Sequence, residues 1–194
     1  MVGETSIQIE NQLEGILGKC RDAFAARKFE DLESSTDLLM QSLSVTPSMK
    51  AANRQYWGRE LGIAWENLLK VIWKTADGDC HFPMSGDPDH PCDIVGSRFA
   101  VDAKYRVGSG DSGTLQKLRR NGATLRESGK EPILLVFRDD SLRSSLAAAK
   151  AGGWTVKHGE ETLRFVKEEL GFDLRSFLSK QAPAFKFMAD EDHF

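Results

Sequence analysis

The chain has 194 residues, enough for one domain with a sizeable core. Its apolar fraction of 40% and charged fraction of 28% are those of an ordinary globular protein, and no apolar run approaches the length of a membrane span. The formal net charge of −3 argues against indiscriminate polyanion binding, and three scattered cysteines make no disulfide framework. With no basic-then-apolar segment at the N-terminus, a cytoplasmic protein is expected.

Leu13, Ile16, Leu17, Cys20 and Phe24 recur at helical spacing and predict a helix over 8–24; a second is expected over 29–43. Pro47 then breaks the chain. Trp57, Leu61, Ala64, Leu68 and Ile72 form the apolar stripe of a helix over 53–74, whose tryptophans Trp57, Trp65 and Trp73 are read as core anchors. Strands are expected over 79–83, 92–95 and 99–106. A basic amphipathic helix follows over 114–128, capped by Asp111 or Ser112 and stopped by Gly129. The apolar run 131–138, with Pro132 at its start, reads as a central strand. A helix over 141–151, a short strand over 154–157 and helices over 160–170 and 174–180 complete the chain. This order defines an α/β fold, a mixed central sheet flanked by helices. A helical N-terminal extension over 1–50 precedes a core over 51–194, together one compact domain.

The chemistry concentrates between residues 91 and 104. Gly96-Ser97 is a two-residue hairpin signal. With that turn, Ile94 faces Phe99 and Asp93 faces Ala100. Asp93, Ala100, Asp102 and Lys104 then share one face of the hairpin, while Val101, Ala103 and Tyr105 point into the core. Asp93 and Asp102 become diagonal neighbours about 7 Å apart, within reach of one metal ion. Two carboxylates suit Mg²⁺, which prefers hard oxygen ligands, and Lys104 is placed to steer an attacking water and stabilise developing charge. The plain alternative is a solvated strand face, since an acid and a lysine two residues apart are common on exposed strands. Cys80, His81, His90 and Cys92 match no common zinc-finger spacing.

These residues resemble the PD-(D/E)XK nuclease superfamily, whose core runs helix, three-stranded antiparallel meander, helix, strand. Asp93 matches the first acid of the motif, and Asp102 and Lys104 match its acid-x-lysine part. The match departs from the literal motif in that Cys92 precedes Asp93; the literal pair, Pro88-Asp89, lies between prolines that disfavour a paired strand. Ile63-Ala64-Trp65-Glu66-Asn67-Leu68-Leu69 is similar to the family's pre-strand helix with its glutamate, which makes Glu66 the third acid and Glu60 the second candidate. Asp102 to Thr114, Gly152-Gly153-Trp154-Thr155-Val156 and Gly171-Phe172-Asp173-Leu174 resemble ApaLI-type restriction endonucleases.

The resemblance implies a restriction-endonuclease-like core and a type II restriction endonuclease that hydrolyses phosphodiester bonds in double-stranded DNA. Its cofactor would be Mg²⁺, with Mn²⁺ able to substitute. Asp93, Asp102, Glu66 and the Ala103 carbonyl would hold the metal, and Lys104 would position water. Palindromic sites imply a homodimer. Positive charge accumulates after the motif, where Arg98, Lys104, Arg106, Lys117, Arg119, Arg120, Arg126 and Lys130 face only Asp102, Asp111 and Glu127 over 98–130. Arg106, Ser109, Gln116, Lys117, Arg119, Arg120 and Arg126 are therefore the expected DNA contacts. Two rivals remain: a junction resolvase or repair nuclease with the same metal site, and a non-catalytic DNA-binding module on the same fold.

Overall fold

The computed structural model describes residues 36–83 and 91–182. They fall within a unit that spans Glu33–Phe194. The expected helix over 8–24, the start of that over 29–43, and Asp89 and His90 lie outside the described residues.

Two short helices lead in: α1 (Leu38–Ser42), whose Asp37 side chain accepts from the Met40 N–H, and α2 (Pro47–Ala52), capped by Thr46. Pro47 is thus the first residue of a helix as well as a break, because its missing N–H costs nothing there. The long helix α3 (Arg54–Ala76) starts at the Asn53 cap. Its fully buried stripe is Leu61, Trp65, Leu69, Ile72 and Trp73; Trp57, Ala64 and Leu68 are half-buried. The stripe is rotated from the expected one because the two large indoles, Trp65 and Trp73, take the deepest positions. Trp73 stacks on Phe165, while Trp65 donates its indole N–H to the Leu135 carbonyl at 3.2 Å.

The sheet has four strands in the order β1 (Ile94–Val95), β2 (Phe99–Lys104), β3 (Glu131–Val136), β4 (Thr155–His158). β1 is antiparallel to β2; β2, β3 and β4 are mutually parallel. The parallel strands are linked by helices α4 (Ser112–Glu127) and α5 (Arg143–Ala151). These cover one face, against Ala100, Leu134, Val136 and Val156. α3, α6 (Glu160–Leu170) and α7 (Leu174–Gln181) cover the other, against Val101, Ala103, Tyr105, Ile133, Leu135 and Phe137. α1 also contributes Leu39 and Met40 to this second core. The chain is therefore α/β, a mixed four-stranded sheet flanked by helices on both faces.

Two expectations change. The strand over 79–83 contracts to a single bridge, His81 with Val95. The hairpin turn lies one residue further along: Gly96 donates to the Phe99 carbonyl, Ile94 pairs with Val101 and Val95 with Ala100, so Ser97 and Arg98 form the tip in place of Gly96 and Ser97. Asp77 explains the displaced turn, since its carboxylate accepts from the Ser97 N–H at 2.6 Å and hydroxyl at 2.7 Å. These bonds hold the Asp77 carboxyl below the usual range. The register moves by two residues, an even number, so every β2 side chain keeps its face.

α4 and α5 approach closely. A Cβ on Gly122 would lie 2.6 Å from the Trp154 ring, and Trp154 donates to the Leu118 carbonyl at 2.8 Å. Among the described residues no helix is long and apolar enough to cross a membrane.

Candidate functional site

Asp102 and Lys104 stand two apart on β2, and Asp93 immediately precedes β1. The Lys104 ammonium lies 2.7 Å from Asp102 Oδ1 and 3.4 Å from Asp93 Oδ2. Asp93 is anchored by its own backbone: its N–H donates to the Val101 carbonyl at 2.8 Å, and its carboxylate accepts from the Ala103 N–H at 2.8 Å. The Asp93 carboxylate thus takes the place of a β1 partner for the Ala103 N–H, while Ala103 pairs with Leu135 of β3 on its other side. The Asp102 side chain is 13% exposed, Asp93 24% and Lys104 41%, so the acids sit beneath an ammonium that reaches solvent.

Burial raises the pKa of both carboxyls, and their other neighbours divide them. At Asp93, Lys104, Asp102 and the Ala103 N–H outweigh burial and hold the carboxyl below the usual range. At Asp102, burial prevails over Lys104 and the Asp93 charge adds to it, so this carboxyl is pushed up to about 7. Burial would lower the Lys104 pKa, but the two acids keep it well above the ordinary lysine range. The ammonium is therefore held charged, and the two crowded carboxyls are driven apart, Asp93 toward ionisation and Asp102 toward keeping its proton. Cys92, buried beside the acids, has its thiol pushed up to about 12, which leaves it inert.

Glu66 is placed differently. It projects from α3, and its carboxylate is held by Lys70 at 2.5 Å. It lines a cavity of about 470 Å³ with Ala103, Lys104, Tyr105, Arg106 and residues of α2 and α3. Glu66 and Lys104 share this cavity, but among the described residues no three His, Cys, Asp or Glu side chains gather where one ion could be held. Glu60 is turned to the surface and pairs with Arg59 at 3.0 Å.

Gln116, Lys117, Arg119, Arg120 and Arg126 are exposed on α4, whose buried side is Leu118, Gly122 and Leu125. Ser109 lies in the exposed loop before α4, bonded to Asp111, which caps that helix by accepting from the Thr114 N–H at 2.9 Å. Arg106 leaves β2 toward Asp140, 3.1 Å away.

That last contact opens onto a network absent from the sequence expectations. Arg138, just beyond β3, is only 5% exposed. It reaches Asp37 at 2.9 Å and Asp140 through two bonds of 2.7 and 3.1 Å. The Tyr105 hydroxyl donates to Asp37 and accepts from Lys50 at 3.3 Å. Arg138 keeps Asp140 below the usual carboxylate range despite burial. The one sequence signal for it is an arginine closing an otherwise apolar strand.

No family model, curated protein or solved structure matches the chain. The nuclease resemblance therefore rests on the residues that carry it.

Proposed function

We propose that this chain is a Mg²⁺-dependent endonuclease that cleaves double-stranded DNA at defined sites, acting as a homodimer on a restriction-endonuclease-like core. The observation that supports the reading most is the convergence of Asp93, Asp102 and Lys104 at the end of β2. Asp93, Asp102 and the Ala103 carbonyl would hold the ion. This donor set suits Mg²⁺, which binds through one or two carboxylates and fills its shell with water and substrate phosphate. When bound, the ion supplies Lewis-acid polarisation of the scissile phosphate. Asp93 contributes a charge already in place, and Asp102 contributes one on losing its proton. Lys104 orients the attacking water and offsets charge that develops on the phosphate oxygens. Glu66 accepts hydrogen bonds from water in the shared cavity.

A second reading has its own support. Lys104 already closes an ion triad with both acids, as it would in a DNA-binding module that does no chemistry. Incubating mapped plasmid DNA with the protein and Mg²⁺, then sequencing the ends, separates the readings. Discrete fragments with defined ends support the endonuclease, cutting confined to branched DNA supports a resolvase, and binding without cutting supports the module.

A further inference from the structure

Helix α3 carries Gly58 and Gly62 one turn apart inside 23 helical residues. Glycine is a poor helix former, and alanine at either position would give a steadier helix. Close packing explains other glycines of this chain: a Cβ on Gly122 would collide with Trp154, and one on Gly152 would lie 2.6 Å from Arg119 Cα. At Gly58 and Gly62 an added Cβ would meet no described atom within 4 Å. Packing within the described fold does not call for a bare backbone there.

Both glycines line the cavity of about 470 Å³. Their four-residue spacing puts them on one face of α3, so they form a strip of exposed helix backbone along the cavity wall. The other lining side chains are strongly biased in charge. Lys50, Arg54 and Arg59 come from α2 and α3, and Lys104 and Arg106 from β2 and its exit. The two lining acids are held by cations from outside the cavity, Glu66 by Lys70 at 2.5 Å and Asp140 by Arg138 at 2.7 Å; among the lining cations, Lys104 pairs with Asp93 and Asp102, Arg59 with Glu60 and Arg106 with Asp140, so each can exchange a carboxylate for a phosphate. Helix backbone open to close approach, cations around it and the site lysine in the same cavity suit an extended polyanion better than a compact ligand.

We infer that the Gly58–Gly62 strip seats a sugar–phosphate strand of nucleic acid, with Lys50, Arg54, Arg59 and Arg106 contacting its phosphates and leading it to Lys104. The inference rests on the nucleic-acid part of the proposed function and not on cleavage. It places the strand in the α3 cavity rather than along the exposed basic side of α4.

Binding of metal-free protein to a short labelled DNA duplex, followed by anisotropy across a salt series, tests it. Gly58→Ala and Gly62→Ala each raise Tm by roughly 2–4 °C, because the helix gains and nothing clashes. Gly62→Leu folds but weakens DNA binding by about tenfold or more, a loss of close approach that alanine shows only in part. Replacing Arg54 and Arg59 together with alanine lowers the magnitude of the salt slope by about two. Wild-type affinity for DNA in Gly62→Leu overturns the inference. So does an unchanged slope in the Arg54 and Arg59 variant while Arg119→Ala with Arg120→Ala changes it, and so does a wild-type protein that binds no DNA. A wild-type protein that binds in this way but never cuts would remove the nuclease reading and leave this one standing.

Discussion

Two charged clusters lie near the carboxyl ends of β2 and β3, and their balance differs. The Arg138 cluster opposes Asp37 and Asp140 with two guanidinium groups and adds the Tyr105 hydroxyl, so each buried carboxylate has a charged partner. The Asp93 cluster opposes two carboxyls with one ammonium and leaves one carboxyl near neutrality. A balanced cluster holds elements together: Arg138 ties the cap of α1 to the exit of β3, 101 residues away in sequence. An acid-rich cluster has capacity left for another cation. The first reads as a clamp and the second as a site.

The sharpest break of this comparison is Arg138→Met. It leaves Asp37 and Asp140 largely buried, with Asp37 bereft of its guanidinium. Removing one partner from a buried ion network costs about 3–5 kcal/mol. Urea denaturation should show a loss of that size, against the much smaller loss expected at Lys104.

Lys104→Met is the matching change in the other cluster. The two carboxyls lose their ammonium, but the pair relieves its repulsion by keeping one proton. The cost is about 2 kcal/mol at pH 8 and falls below about 1 kcal/mol at pH 5, where that proton is retained. Mg²⁺ should raise the Tm of Lys104→Met more than that of Arg138→Met, because both variants keep the two acids but only Lys104→Met removes the ammonium that competes with the ion for them. No Mg²⁺ response in either variant would show that the acids hold no cation.

Asp102 gives the third contrast, through pH. A carboxyl whose folded pKa is raised contributes stability below its unfolded value, near 4, and that contribution is lost as pH rises toward about 7. Asp93, with its pKa lowered, works the other way and favours the fold above about pH 4. Between pH 5 and 7 the Asp102 slope prevails. Asp102→Asn should therefore flatten the fall in stability over that window by up to about 1.4 kcal/mol per pH unit. The same variant should lose DNA cleavage and retain much of its DNA binding. Parallel pH profiles for wild type and Asp102→Asn would place the poised proton elsewhere.

The two clusters were unequally legible in the sequence. The acid–lysine site lies within twelve residues, and strand alternation puts Asp102 and Lys104 on one face whatever the turn. The turn itself falls one residue beyond the expected place, because the Asp77 side chain that holds Ser97 lies on a different element. The result is an even register shift, which preserves faces; an odd one would have separated the acids. The Arg138 cluster was not legible, since it joins residues 37, 105, 138 and 140, and no local period links them. The strand over 79–83 failed for a related reason: apart from the bridge at His81, its residues have no described strand partner. The α3 stripe was found but rotated, because spacing alone does not say which indole goes deepest.

Arg106→Ala is the smallest expected change in stability and separates fold from function within the clamp. Arg106 is 38% exposed and touches Asp140 from the cavity side. Asp140 keeps both of its bonds to Arg138 when Arg106 is removed. An exposed partner of a carboxylate that remains matched contributes at most about 1 kcal/mol, and the measured loss should fall below that. DNA affinity should respond differently, because Arg106 carries its charge into the cavity beside Lys104. One lost phosphate contact lowers the magnitude of the salt slope by about one, without altering preference among sequences. A stability loss as large as that of Arg138→Met would mean that the two arginines hold Asp140 jointly. A normal stability with an unchanged slope would confine Arg106 to its contact with Asp140 and remove it from the strand's path.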